Sequence, residues 1–121
     1  MSNDKIYNIR ERLVKFAKRI LEICKMIPNT PEGSKVRGQL GSAGTSIGAN
    51  AEEADGALTK KDFINKMGIA RKEAKESRYW LRVISGLYIK PEEIKPDIKE
   101  SQEIINILST IINKVKSKGG I

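Results

Sequence analysis

The chain is 121 residues long and carries 23 Lys and Arg against 15 Asp and Glu, a formal net charge of +8. Hydrophobic residues at 39% and charged residues at 31% suit one small basic domain spanning residues 1–121, too apolar for a disordered chain. There is no histidine, which excludes imidazole-based catalytic triads, Glu-x-x-His di-iron sites and His-ligated zinc.

A single cysteine, Cys24, cannot form an internal disulfide, and it falls on the apolar side of a helical pattern, where it reads as a small buried hydrophobe in a reducing compartment. No apolar run approaches the roughly 18 residues of a membrane span, and no signal-peptide core follows Met1. The expected location is the cytoplasm, with no membrane contact.

The first element, about residues 3–27, spaces Ile6, Ile9, Leu13, Phe16, Ile20, Ile23 and Ile27 alternately by three and four, the seam of an amphipathic helix. Val14, Ala17, Leu21 and Cys24 widen its apolar stripe, and Pro28-Asn29-Thr30-Pro31 ends it. The second element, about 32–56, continues the spacing at Val36, Leu40, Ala43, Ile47, Asn50 and Ala54. Gly38, Gly41, Gly44 and Gly48 each cost a helix interior up to about 1 kcal/mol relative to Ala. A helix therefore requires that close packing against a neighbour compensate, and a Gly-rich loop is the rival reading. Asn50 on this seam is read as a structural polar residue of the core.

The third element, about 59–88, holds the four-three spacing at Phe63, Met67, Ala70, Ala74, Ser77, Leu81, Ile84 and Tyr88. A second apolar strip, Ile69, Trp80, Val83 and Leu87, lies roughly 100° round from that seam and is expected to form a subunit contact. The fourth element, about 92–117, opens on Pro91-Glu92-Glu93, resets at Pro96-Asp97 and continues through Ile98, Ser101, Ile105, Leu108, Ile112 and Val115. Four helical segments, short turns and no alternating strand pattern predict an all-α fold, an antiparallel up-and-down four-helix bundle.

The charge is unevenly divided. Residues 1–27 carry +4, residues 28–58 carry −2, residues 59–90 carry +6, and residues 91–121 are neutral. On the third helix Lys60, Arg71, Lys75, Arg78 and Arg82 fall within an arc of about 60° with no interleaved acid. On the first helix Arg12, Lys15 and Arg19 repeat the three-four spacing and would extend this ridge if the two helices are neighbours. A solvated face is the plain reading of such a ridge. A single-sign ridge left unneutralised along its own face points instead to a polyanion, which releases counterions on binding. With aromatic residues at 5% of the chain, and most of them at apolar positions, stacking platforms for single strands are scarce. Recognition of backbone or shape is therefore expected over base readout.

Other chemistry finds little support. The glycines of the second element lack the Lys-Ser/Thr of a phosphate-binding loop. Glu52, Glu53, Glu73 and Glu76 could together hold a hard cation, but salt bridges to the abundant Lys and Arg are the simpler use for them. No metal, no cofactor and no enzymatic activity are expected.

Three stretches carry a resemblance: Gly44-Thr45-Ser46-Ile47-Gly48-Ala49-Asn50 followed by Glu52-Glu53-Ala54; Lys61 through Ala70; and Lys72 through Leu81. Together they resemble the small bacterial four-helix-bundle proteins encoded in intervening sequences of 23S ribosomal RNA genes. That resemblance implies a protomer that assembles into a homo-oligomeric ring, often a pentamer, with no established enzymatic activity. The family is similar in fold to the accessory variability determinant of diversity-generating retroelements, a basic barrel of bundles that binds RNA and a reverse transcriptase. Many members read Asn-Ile-Ala-Glu-Gly on the second helix; here Asn50 and Glu53 match, whereas Ala51, Glu52 and Ala54 replace the others. The expected function is thus RNA or ribonucleoprotein binding by a homo-oligomer. A scaffold or accessory subunit for a nucleic-acid enzyme such as a polymerase is the alternative.

Overall fold

A computed structural model describes residues 3–118, with side chains from Ile9 onward, so Ile6 at the head of the first seam lies outside the described side chains. Four helices follow in order: α1 (Asn3–Cys24), α2 (Pro31–Asp55), α3 (Lys60–Ile84) and α4 (Pro91–Lys118). Each packs on its sequence neighbour, α4 returns to touch α1, and α1 and α3 stand on the diagonal. Pairs across the helices run in opposite order. Arg12 meets Glu100 while Arg19 meets Asp97, and Arg71 meets Ser109 while Arg78 meets Gln102, as an antiparallel up-and-down bundle requires.

Most of the core comes from the predicted seams, and Ile94 and Ile104 join it from outside them, while Ile98 and Val115 of the fourth seam are only half-buried. Leu13, Ile20, Ile23, Leu40, Ile47, Leu81, Ile84, Ile94, Ile104, Leu108 and Ile112 are fully buried. Ser77 and Ser101 complete it without orphaned polar groups, because their hydroxyls donate to the Glu73 and Ile98 carbonyls at 2.9 and 2.6 Å within their own helices.

Two helix ends differ from expectation. Helix α1 stops at Cys24, and the chain tightens into three-residue hydrogen bonds up to Ile27, because a residue that precedes proline disfavours the α region. Ile27 nevertheless stays buried. Helix α3 ends at Ile84, four residues short of Tyr88. Gly86 adopts φ +80 and donates to the Ile89 carbonyl at 2.8 Å, while Ser85 and Ile89 pair in a short bridge. Only glycine enters that region cheaply, so Ser85-Gly86 is the stop signal and the turn folds Ile89 back into the core. Helix α4, by contrast, is continuous through Pro96 rather than reset there, and it extends through Lys118. Pro96 is exposed and five residues into the helix, just past the first turn, so it removes the bond to the Glu92 carbonyl without ending the helix.

The glycine-rich α2 is a helix. Thr30 caps it, accepting from the Gly33 N–H at 3.0 Å, and Pro31 occupies its first turn. The seam, however, passes through buried Ala51 rather than Asn50. Gly44 shows why this helix tolerates its poor propensity: a Cβ there would lie 2.7 Å from both γ carbons of Ile20 and 2.9 Å from its Cβ. At Gly38, by contrast, a Cβ would meet nothing within 4 Å. The same substitution should therefore have opposite signs at the two sites. Gly38→Ala is expected to stabilise by about 0.5–1 kcal/mol through helix propensity. Gly44→Ala is expected to destabilise by about 1–3 kcal/mol, overpacking outweighing that gain. Urea titrations of both variants check the crossing.

Candidate nucleic-acid interface

Arg12 and Arg19 of α1 face α4 and are held by its carboxylates. Arg12 donates to both oxygens of Glu100 at 2.6 and 2.7 Å and to Glu103 at 3.1 Å. Arg19 grips Asp97 with two bonds, 2.9 and 3.2 Å, and Asp97 is itself buried. Hydrogen bonding to Glu100 and to Asp97 raises the affinity of the respective guanidiniums for their protons. On the other side of α1, Arg10 pairs with Glu52 and with Asp55 of α2. Lys15 is exposed. With α1 and α3 on the diagonal, the trio Arg12, Lys15 and Arg19 does not extend the α3 ridge. Two of its members tie α1 to α4 instead.

The ridge on α3 has different surroundings. Among the described residues no carboxylate lies within ion-pair distance of Lys60, Arg71, Lys75, Arg78 or Arg82. Arg71 donates to the Ser109 hydroxyl at 3.3 Å and Arg78 to the Gln102 side-chain oxygen, both neutral acceptors on α4. Lys75 and Arg82 are exposed. From Arg71 to Arg82 the four cations span about 16 Å of helix at 1.5 Å per residue.

Helix α4 separates these two environments by its own pattern. At 100° per residue, Asp97, Glu100 and Glu103 occupy the flank turned to α1, and Gln102, Asn106, Ser109 and Asn113 occupy the flank turned to α3. One row of acids thus neutralises one row of arginines, and the other row of arginines faces amides and a hydroxyl. Spacing along α1 and α3 alone does not show the role of these α4 residues. The signal was present in the spacing of Asp97, Glu100 and Glu103, which permits pairing with Arg12 and Arg19 across an antiparallel seam.

The other expected site residues take the following places. Asn50 is half-buried beside the seam, and its amide donates to the Ser46 carbonyl at 2.9 Å in its own helix rather than bridging to another. In the apolar strip Trp80 is half-buried and packs on the core, Val83 is half-buried, and Ile69 is 40% exposed. Leu87 is 62% exposed but lies beyond the end of α3, on the turn, so the strip is not one continuous helical face. Cys24 is buried, its thiol is pushed up by that burial, and its Sγ donates to the Arg37 carbonyl at 3.7 Å.

The acidic residues considered for a cation are dispersed among salt bridges. Glu52 pairs with Arg10, and Glu53 accepts from Lys66 at 2.7 Å. Among the described residues no three His, Cys, Asp or Glu gather as a ligand set. Burial, together with repulsion from Glu76, raises the carboxyl of Glu73 above its ordinary range. A raised carboxyl favours the protonated fold, so this group's contribution to stability falls as pH rises from the ordinary carboxylate value through the raised one. Glu73→Gln should accordingly stabilise by about a few tenths of a kcal/mol at pH 7, discounted for solvent screening, and the gain should vanish in acid. Chemical denaturation at the two pH values measures the difference.

No described helix is long and apolar enough to cross a membrane. A space between Ile9, Phe63, Met67 and Ile111 holds about 10 Å³, room for a single water.

The family model described as 23S rRNA-intervening sequence protein matches residues 5–110. Among solved structures, the chain is similar to a crystal structure of a protein with unknown function from the S23 ribosomal protein family of Bacteroides thetaiotaomicron. The two are 37% identical with a TM-score of 0.83, the likeness covering 90% of this chain and 98% of that one. No curated protein matches significantly.

Proposed function

We propose that this chain, which belongs to the 23S rRNA-intervening sequence protein family, is a non-enzymatic homo-oligomeric bundle that binds RNA through the basic ridge of α3. The observation that carries this reading is the contrast between two pairs of arginines: Arg12 and Arg19 of α1 are held by the carboxylates of α4, and Arg71 and Arg78 of α3 rest on neutral groups. A phosphate displaces a neutral acceptor readily and a carboxylate poorly, so the α3 row is the one available to a polyanion. The family's connection with ribosomal RNA genes favours RNA as that polyanion.

Assembly is supported by the apolar groups left at the surface, Ile69 and Leu87 on the α3 side and Val14 and Leu21 on α1. A ring would present the ridge repeatedly around one face and raise avidity for a long strand without base-specific contacts. Titration of a labelled structured RNA at several salt concentrations tests the binding. Affinity that falls steeply with salt supports it, and weak binding indifferent to salt overturns it. Light scattering tests the assembly: a mass several times the 13.5 kDa of one chain is expected, and a 13.5 kDa particle at micromolar concentration would refute it.

A further inference from the structure

We infer that the groove between α3 and α4 is a track for a ribose-phosphate backbone, in which the cations of α3 hold phosphates and the amides of α4 read the 2′-hydroxyl. This deepens the RNA-binding reading and rests on it.

Two polar ladders line this groove. Arg71, Lys75, Arg78 and Arg82 follow one another by four, three and four residues, and so do Gln102, Asn106, Ser109 and Asn113. The helices are antiparallel, and two contacts fix the register: Arg71 against Ser109 and Arg78 against Gln102. The sum of the paired numbers is the same in both contacts, so the register holds along the groove and places Lys75 within one residue of Asn106, while Arg82 and Asn113 extend the two walls at opposite ends. Steps of three and four residues rise about 5 and 6 Å, on the order of the separation between consecutive phosphates in an extended strand.

The two walls differ in chemistry. Lysine and arginine offer donors only, which suits phosphate oxygens. Side-chain amides and a serine hydroxyl offer donors and acceptors together, which suits a 2′-hydroxyl that both donates and accepts. The α4 wall is also already organised, because Gln102 donates to the Asn106 side-chain oxygen at 3.0 Å. Asn106 and Asn113 are exposed, so their remaining capacity faces solvent. Asp97, Glu100 and Glu103, which would repel a strand, lie on the other flank of α4, where Arg12 and Arg19 occupy them.

The test compares a labelled single-stranded RNA with DNA of the same sequence and with its 2′-O-methyl form, at one salt concentration. The proteins are the wild type, Asn106→Ala, and the triple variant Gln102→Ala, Asn106→Ala, Ser109→Ala, each first shown to fold by circular dichroism. Wild type should bind the RNA about tenfold more tightly than either analogue, the scale of one or two net hydrogen bonds. Asn106→Ala should lose part of that preference and the triple variant nearly all of it, with the salt slope unchanged in both. Equal affinity of the wild type for all three strands, with a normal salt slope, overturns this inference and leaves the ridge reading intact. Absence of binding to any strand overturns both.

Discussion

Replacing Arg71, Lys75, Arg78 and Arg82 together by Glu should abolish RNA binding while leaving the bundle folded. Four phosphate contacts on a single strand give a slope near −3 for log affinity against log salt, so a fourfold rise in salt weakens binding by about 50-fold. The reversed protein should lose that slope as well as the affinity, since four repelling charges release no counterions. None of the four residues has a carboxylate partner among the described residues, and Lys75 and Arg82 are exposed. Stability should therefore change little, and the melting curve serves as the control. A reversed protein that still binds with the wild-type slope would place the RNA on another surface.

The fold was legible because the apolar spacing of three and four persists through all four helices, and a seam that regular has one structural interpretation. Legibility failed where a local conformation competed with periodicity. Tyr88 continues the α3 spacing numerically, yet Ser85-Gly86 supplies a left-handed turn that ends the helix first. Asn50 likewise fits the count, but a 3.6-residue helix drifts against a 3.5-residue seam, and at that turn Ala51 faces inward. The glycines of α2 could be explained only as a group from the sequence. Distances separate Gly44, where an added Cβ would collide with Ile20, from Gly38, where it would meet nothing within 4 Å.

The candidate site was legible by half. The acid-free ridge of α3 follows from positions along one helix, because it is a property of one face. What Arg12 and Arg19 do depends on which helix lies across from them, and spacing along α1 is silent on that. Similar spacing thus belongs to two basic rows in different surroundings, carboxylates for one and neutral groups for the other. The deciding information lies on α4, whose acids and amides sit on opposite flanks, and it becomes readable only once the order of packing is known.

That division of labour predicts a large effect of a different kind at Arg19. Asp97 is buried, and the two bonds from Arg19 are the pairing that compensates its charge. Removing one partner of a buried pair leaves the other uncompensated, a cost of about 3–5 kcal/mol when both are fully buried. The Arg19 side chain is 39% exposed, so Arg19→Ala should cost less, about 2–3 kcal/mol. Arg12→Ala should cost about 1 kcal/mol or less, because Arg12 and both of its carboxylate partners reach solvent. Arg19→Lys should recover only part of the loss, since a lysine cannot reproduce the two-pronged grip. Replacing both members, Arg19→Met with Asp97→Leu, should restore most of it, because an apolar pair has no charge to strand. Denaturant midpoints of the four variants test the order. If Arg19→Ala costs no more than Arg12→Ala, Asp97 does not depend on Arg19. In either case RNA affinity per folded molecule should stay near the wild-type value, because arginines that close the α1–α4 seam have no charge to spare for phosphate.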